Sequence, residues 1–149
     1  MAYVIKKVWA YVIRGHANDI ELLIFEHVDL DAGIQIPAGT VEANEDPRIA
    51  VERELLEESG IRVESFAPLG IIEREWDGQA VMAHLFATWA PPHVAEEWIH
   101  NVTGSGEDAR MQFRYFWLPR GEWHKVWGDF KLGYPALDRF VANAMTEKS

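Results

Sequence analysis

The stretch from Asp46 to Gly60 constrains this chain more than any other. Asp46 is a good N-cap residue, Pro47 suits the first helical position, where no N–H is needed, and Gly60 suits the left-handed residue that ends a helix. The spacing predicts a helix from about Pro47 to Ser59. Within it Glu54, Glu57 and Glu58 fall at i, i+3 and i+4, which puts three carboxylates on one face with Cβ atoms roughly 5–6 Å apart. Like charges so placed repel. Hard divalent cations take oxygen ligands of this kind and would neutralise that charge. Val51 and Leu55 lie on the flank away from the carboxylates, with Ile49 and Leu56 further round, so the helix can pack while its acidic side faces a cleft. Glu52 is the blemish, falling in the apolar half. Arg53 can pair with Glu57 or reach back to Glu45, and either contact would hold a carboxylate in place. A solvated acidic surface is the plain alternative reading of the three glutamates alone.

The flanks of this helix read as strands. Val4 to Ile13 is apolar and aromatic with partial alternation, Arg14 to Asp19 supplies turn residues, and Ile20 to Phe25 is a second strand. Gln35 to Gly39 is a short extended piece. Phe66 to Arg74 and Gln79 to Trp89 are strands joined at Asp77-Gly78, a hairpin signal. Pro91 to Arg110 has no readable pattern, and its Gly-rich part from Thr103 to Asp108 reads as a mobile loop. Met111 to Leu118 is a further strand, and Tyr134 to Met145 a closing helix with Leu137, Phe140, Val141 and Ala144 at helical spacing. The expected architecture is α/β, one layered domain spanning residues 1–149 with a mixed sheet.

Composition narrows the function. With 24 acidic and 14 basic residues the formal net charge is −10, which disfavours a nucleic-acid-backbone binder. An acidic protein that handles phosphates needs another source of positive charge, and a bound divalent cation is the obvious one. The chain has no Cys, so disulfides, thiolate metal sites and Cys nucleophiles are excluded. No apolar run reaches the ~20 residues that span a bilayer, and Met1 to Lys7 lacks a leader pattern. The expectation is a cytoplasmic protein with no membrane partner.

From Gly39 to Ile61 the chain carries Gly39, Glu45, Arg53-Glu54-Leu55, Glu57-Glu58 and Gly60-Ile61, and this pattern resembles the Nudix box at every defined position. The resemblance implies an α/β/α sandwich with a mixed sheet, Mg²⁺ or Mn²⁺ dependence, and hydrolysis of a nucleoside diphosphate linked to another group X. It implies Glu54, Glu57 and Glu58 as metal ligands, joined by the Gly39 carbonyl, with Glu45 and Arg53 as a structural salt bridge and Arg53 orienting a catalytic glutamate. Gly60 would cap the helix. The proton acceptor is open between Glu57 and a loop residue, Glu107 or Asp108. Relatives are often homodimers.

The substrate is not legible. Trp9, Trp76 and Trp89 are candidates to stack on a base, while Trp117, Phe116 and Phe86 read as core. Lys125, Lys131 and Arg110 are candidates for phosphate contact or plain surface residues, and the six histidines show no metal-ligand spacing. Downstream of the box, Glu73 to Ala80 carries neither the Pro nor the Tyr expected of ADP-ribose, dinucleoside polyphosphate or NADH subgroups. Three rival readings remain: a silent module that senses a nucleotide, which has no need of all three glutamates; an isoprenoid diphosphate isomerase, which would require a Cys; and a metal-free acidic helix, which leaves the spacing of Glu45 and Arg53 unexplained.

Overall fold

The computed structural model describes residues 3–16, 18–104 and 109–147. Strands β1 (Ile5–Arg14), β2 (Glu21–His27) and β3 (Ala38–Thr40) precede helix α1 (Pro47–Ser59). Then come β4 (Ala67–Trp76), β5 (Gln79–Trp89), β6 (Glu97–Asn101) and β7 (Gln112–Pro119). Two 3-10 turns (Arg120–Lys125 and Gly128–Gly133) lead into helix α2 (Tyr134–Glu147). The sheet runs β4-β5-β1-β2-β7-β6, with β3 paired to β1 off that path. Only β1 and β5 pair in parallel among these strands, so the sheet is mixed, as expected.

The strands alternate, and each face of the sheet has its own core. Val8, Ala10, Val12 and Phe86 face α1 and meet Ala50, Val51 and Leu55. Trp9, Tyr11, Ile13 and Leu85 face the other way and meet Leu137 and Val141 of α2. This gives the α/β/α sandwich. No helix among the described residues is long and apolar enough to cross a membrane.

One irregularity in the sheet builds the site. β1 and β2 pair only at Ile13–Leu22 and Arg14–Glu21. Beyond those pairs the two strands part, and the segment leading into β3 fills the gap. Gln35 exchanges backbone hydrogen bonds with Phe25 of β2 (2.8 and 2.9 Å), while Ala38, Gly39 and Thr40 pair with Trp9, Val8 and Lys7 of β1. The wedge thus lies between β1 and β2 and meets the acidic helix where Ala38 N donates to Glu58 (3.2 Å).

The expected strands and both helices are present, within a few residues at their ends. Asp77 and Gly78 both have positive φ (49° and 77°), as a tight hairpin turn requires. The stretch expected to be patternless contains β6. It is a five-residue edge strand whose inward residues are Trp98 and His100, so it lacks the apolar alternation that marks a strand. The 3-10 turns also went unread, because runs this short carry no period. Ile49, expected beside the packing flank, is 54% exposed, and Ala50 takes its place in the core.

Candidate active site

Helix α1 begins as the sequence predicts: the Asp46 side chain accepts from the Arg48 N–H at 2.9 Å, and Gly60 closes the helix in a left-handed conformation at φ 82°. Its C-terminal end is bolted down. The last carbonyls of a helix lack intrahelical partners, and here each finds one. Leu56 O accepts from Gly60 N (2.9 Å) and Glu57 O from Thr103 N (3.0 Å), with His100 Nε2 also 3.0 Å from Glu57 O. Glu58 O accepts from the Tyr115 hydroxyl (2.9 Å) and Ser59 O from Trp98 Nε1 (2.9 Å). Strands β6 and β7 therefore fix the turn that bears Glu57 and Glu58.

That turn is an awkward place for negative charge. The helix dipole is negative at its C-terminus, and α1 has no basic residue in its last turn. Arg53 supplies the compensation that the protein itself can offer. Its Nε and Nη2 grip both Glu45 oxygens at 2.8 and 2.9 Å, and its Nη1 lies 2.8 Å from Glu54 and 3.3 Å from Glu57. Nη2 also donates to the Thr40 carbonyl (3.1 Å). The sequence left Glu45 and Glu57 as alternative partners; Arg53 reaches both, and its fork goes to Glu45. Hydrogen bonding from Arg53 holds the Glu45 carboxyl below the usual carboxylate range, and the same contact raises the guanidinium above its ordinary value. Glu58 sits deepest, 3% exposed, with an oxygen accepting from Ala38 N at 3.2 Å.

Two glycines make room for these carboxylates. A Cβ built on Gly39 would fall under 3.0 Å from the carboxyl carbon and both oxygens of Glu54. One on Gly104 would lie 2.6 Å from the Glu57 carboxyl carbon. Backbone thus passes directly against two acidic groups. As they stand, no three Asp, Glu or His side chains among the described residues form a ready cage for an ion; Arg53 draws Glu54 and Glu57 to itself. The donor set nevertheless fits a hard divalent cation. It consists of carboxylates with a glycine-lined backbone cradle beside them, all oxygen chemistry.

These groups form one end of a cavity of about 440 Å³. Glu54, Glu57, Glu58, Arg53 and Glu42 line the acidic end, together with Gly39 and Thr40 of β3. The other end is aromatic: Trp9, Trp76, Trp127 and Phe130. Lys7 lies on the wall, its ammonium donating to Thr40 Oγ1 at 2.8 Å.

The residues expected at the site are therefore gathered in one place: Gly39, Glu45, Arg53, Glu54, Glu57 and Glu58. Glu107 and Asp108 lie outside the described residues. Of the tryptophans, Trp76 lines the cavity, and Trp9 is its largely buried floor, edge-on to Phe130 at 5.0 Å. Trp89 instead packs on Phe140. Lys125 pairs with Glu122, Lys131 reaches the His124 carbonyl at 3.5 Å, and neither these lysines nor Arg110 line the cavity. Sequence reasoning missed Lys7, Gly104 and Trp127. Lys7 and Trp127 carry no local motif; the clue to Gly104 was its place in the Gly-rich loop.

A mixed sheet between helices, with an acidic helix end pinned against a glycine-bearing strand, defines the chain as an α/β/α sandwich. A model of the NUDIX domain matches residues 6–132, and the chain belongs to the Nudix family. No curated protein sequence gives a significant match. Among solved structures, the chain is similar to the NUDIX domain of Shewanella oneidensis NrtR complexed with ADP ribose. The identity is 11% and the TM-score 0.65, covering 100% of this chain and 91% of that one. It is also similar to a C. elegans Ap4A hydrolase in a binary complex (19% identity, TM-score 0.67, 93% of this chain and 98% of that one). A MutT protein from Methanosarcina mazei Go1 matches at 20% identity and TM-score 0.65, over 93% of this chain and 95% of that one. At these identities the likeness shows the fold.

Proposed function

We propose that this protein hydrolyses a diphosphate linkage in a nucleoside diphosphate joined to a further group, using Mg²⁺ or Mn²⁺. The observation that carries this reading is the pinned helix end, which sets Glu54 against Gly39, Glu57 against Gly104 and Glu58 on the Ala38 N–H in the lining of a ligand-sized cavity. Glu54, Glu57 and Glu58, with the Gly39 carbonyl, would hold the cation. Once bound, it supplies charge neutralisation for the diphosphate and acidifies water.

The chain's own groups do the rest. Lys7 offers its ammonium to a phosphate oxygen. Water attacks phosphorus, the phosphorus–oxygen bond of the anhydride breaks, and a glutamate accepts the water's proton. Glu57 is our assignment for that base, with Glu107 as the loop alternative. Arg53 keeps Glu54 and Glu57 from rotating into solvent, and Glu45 keeps Arg53 in place. Pre-positioning of this kind is where most of the rate advantage comes from in phosphoryl chemistry. The neighbours named for ADP ribose and Ap4A support a small nucleotide derivative as substrate.

A nucleotide sensor on the same fold would need the cavity without the full acidic set. The test is a panel of ADP-ribose, nucleotide sugars, dinucleoside polyphosphates and nucleoside triphosphates, assayed with Mg²⁺, with chelator, and with Glu57→Gln. Turnover that needs both the cation and Glu57 supports the proposal. Turnover that survives both losses, or tight binding without turnover across the panel, would overturn it.

A further inference from the structure

From the open edge of β6 we infer that two copies of this chain join there, the two strands running antiparallel about Ile99, to make one continuous sheet. The sheet ends in β4 on one side and β6 on the other. An edge strand offers unpaired N–H and C=O groups to any other strand, and proteins guard such edges with proline, bulges or charge. β4 is guarded in all three ways: Pro68 near its start, a register shift between Pro68 and Gly70, and Glu73-Arg74-Glu75 in its second half. Joining β4 to a second β4 about Arg74 would set Arg74 against Arg74 and Glu73 against Glu75, like charges throughout. β6 has no such guard from Trp98 to Asn101, and Ile99 at its centre is 56% exposed.

The ladder shows where the free groups point. Val102 N donates to Met111 O at 2.8 Å, so the backbone groups of Val102 face the β7 side. These groups alternate along a strand. Trp98 and His100 therefore turn theirs to β7, whereas Glu97, Ile99 and Asn101 turn theirs to the open edge. Among the described residues no other strand pairs with that edge.

A twofold axis through Ile99 satisfies all of these groups in register. Ile99 meets Ile99 of the second copy, an apolar pair. Glu97 meets Asn101, and Trp98 meets His100 on the opposite face of the sheet. The Asn101 side-chain oxygen already accepts from Gln112 Nε2 (3.0 Å), which leaves its NH₂ to donate. The Glu97 carboxylate accepts from Arg114 through one oxygen (2.6 Å) and keeps acceptor capacity on the other. No like charges oppose each other. A strand that complements itself at all five positions suits the isologous contact of a second copy better than a foreign strand. This strand is also the one whose Trp98 and His100 reach the carbonyls of Ser59 and Glu57, so pairing braces the turn that bears Glu57 and Glu58. Five residues make a small interface, and a Kd on the order of 10 µM is expected.

The experiment is sedimentation velocity of the full chain at concentrations spanning that Kd, in physiological salt, where the −10 charge of each copy is largely screened. A monomer–dimer equilibrium is expected. Ile99→Lys, which adds a guard charge at an exposed position, should weaken association about tenfold. Ile71→Lys on β4, equally exposed at 55%, should leave it unchanged. Because the chain has no Cys, Ile99→Cys carries a single thiol. The twofold pairing would hold the two Cα atoms about 5.5 Å apart, within disulfide reach. Oxidation with diamide should convert that variant to a covalent dimer and leave Ile71→Cys largely monomeric. Thermal melts verify that each variant folds. Association undiminished in Ile99→Lys, or no covalent dimer from Ile99→Cys, would overturn the inference. So would a wild type that stays monomeric at every concentration, whether its edge is then left open or taken by an added extended peptide. None of these outcomes touches hydrolysis, which its own substrate panel tests.

Discussion

Replacing Gly39 by Ala asks whether the glycine wedge serves folding or chemistry. The added methyl would fall under 3.0 Å from three atoms of the Glu54 carboxyl group, where non-bonded carbons ordinarily stay about 3.5–4.0 Å apart. The carboxyl carbon, 2.0 Å from the built Cβ, must therefore retreat by about 1.5–2 Å. That group is the far end of a flexible side chain, so the fold can yield, at a cost of about 1 kcal/mol, the centre of the range for single substitutions. The site cannot yield so easily, since a displacement of about 1 Å in a catalytic group costs on the order of 10²-fold in rate. Gly39→Ala should lower kcat by at least about that factor on the best substrate of the panel, with a melting temperature within ~4 °C of wild type. A mutant cycle makes the reasoning strict: in a Glu54→Ala background the same substitution should have little further effect. Full activity in Gly39→Ala would refute the account, as would an undiminished loss when Glu54 is already absent.

Other outcomes follow from the same contacts. Gly133→Ala should instead fail in folding, because its Cβ would meet the Tyr11 ring carbon at 2.6 Å and Leu85 at 2.8 Å inside the core; a denaturant midpoint equal to wild type would contradict this. Tyr115→Phe leaves the Glu58 carbonyl without its buried donor and should cost about 1–3 kcal/mol in unfolding free energy, measured by urea titration. The Glu45 carboxyl is held low in the folded protein by Arg53, so its contribution to stability is complete above the unfolded value of about 4.3 and is lost as pH falls through the folded value. The stability difference between wild type and Glu45→Gln should accordingly be flat from pH 7 to about 5 and shrink in more acid solution; a difference independent of pH would rule that out. Because carboxylates crowd the negative end of α1, Mg²⁺ should raise the melting temperature and chelator should reverse the rise, an effect that Glu57→Gln weakens.

How much of this was legible in the sequence depends on where each constraint resides. The acidic helix was readable to the residue because its signals are local: Asp46 and Pro47 start it, Gly60 stops it, and the carboxylate spacing lies within a single turn. Arg53 and Glu45 were readable for the same reason, being eight residues apart on one motif. The aromatic half of the cavity was not. Trp127 stands just before a 3-10 turn and Asp129 within it, where no periodicity shows, and only the tertiary fold brings them to one cavity with Lys7 of β1 and Trp76 of β4. β6 escaped notice because Trp98 and His100 act through polar contacts to the end of α1 rather than through an apolar stripe. Trp89 shows the converse failure: its residue type suited a base platform, but β5 carries it to the α2 side, against Phe140.

The central claim, that the end of α1 captures a dication against a diphosphate, is tested most directly by crystals grown with Mn²⁺ and a methylene-bridged diphosphate analogue, using anomalous diffraction. The account predicts manganese density between the Glu54, Glu57 and Glu58 carboxylates and the analogue's phosphate oxygens, with Arg53 still on Glu45. A map in which the analogue is bound but these glutamates hold no manganese would contradict it.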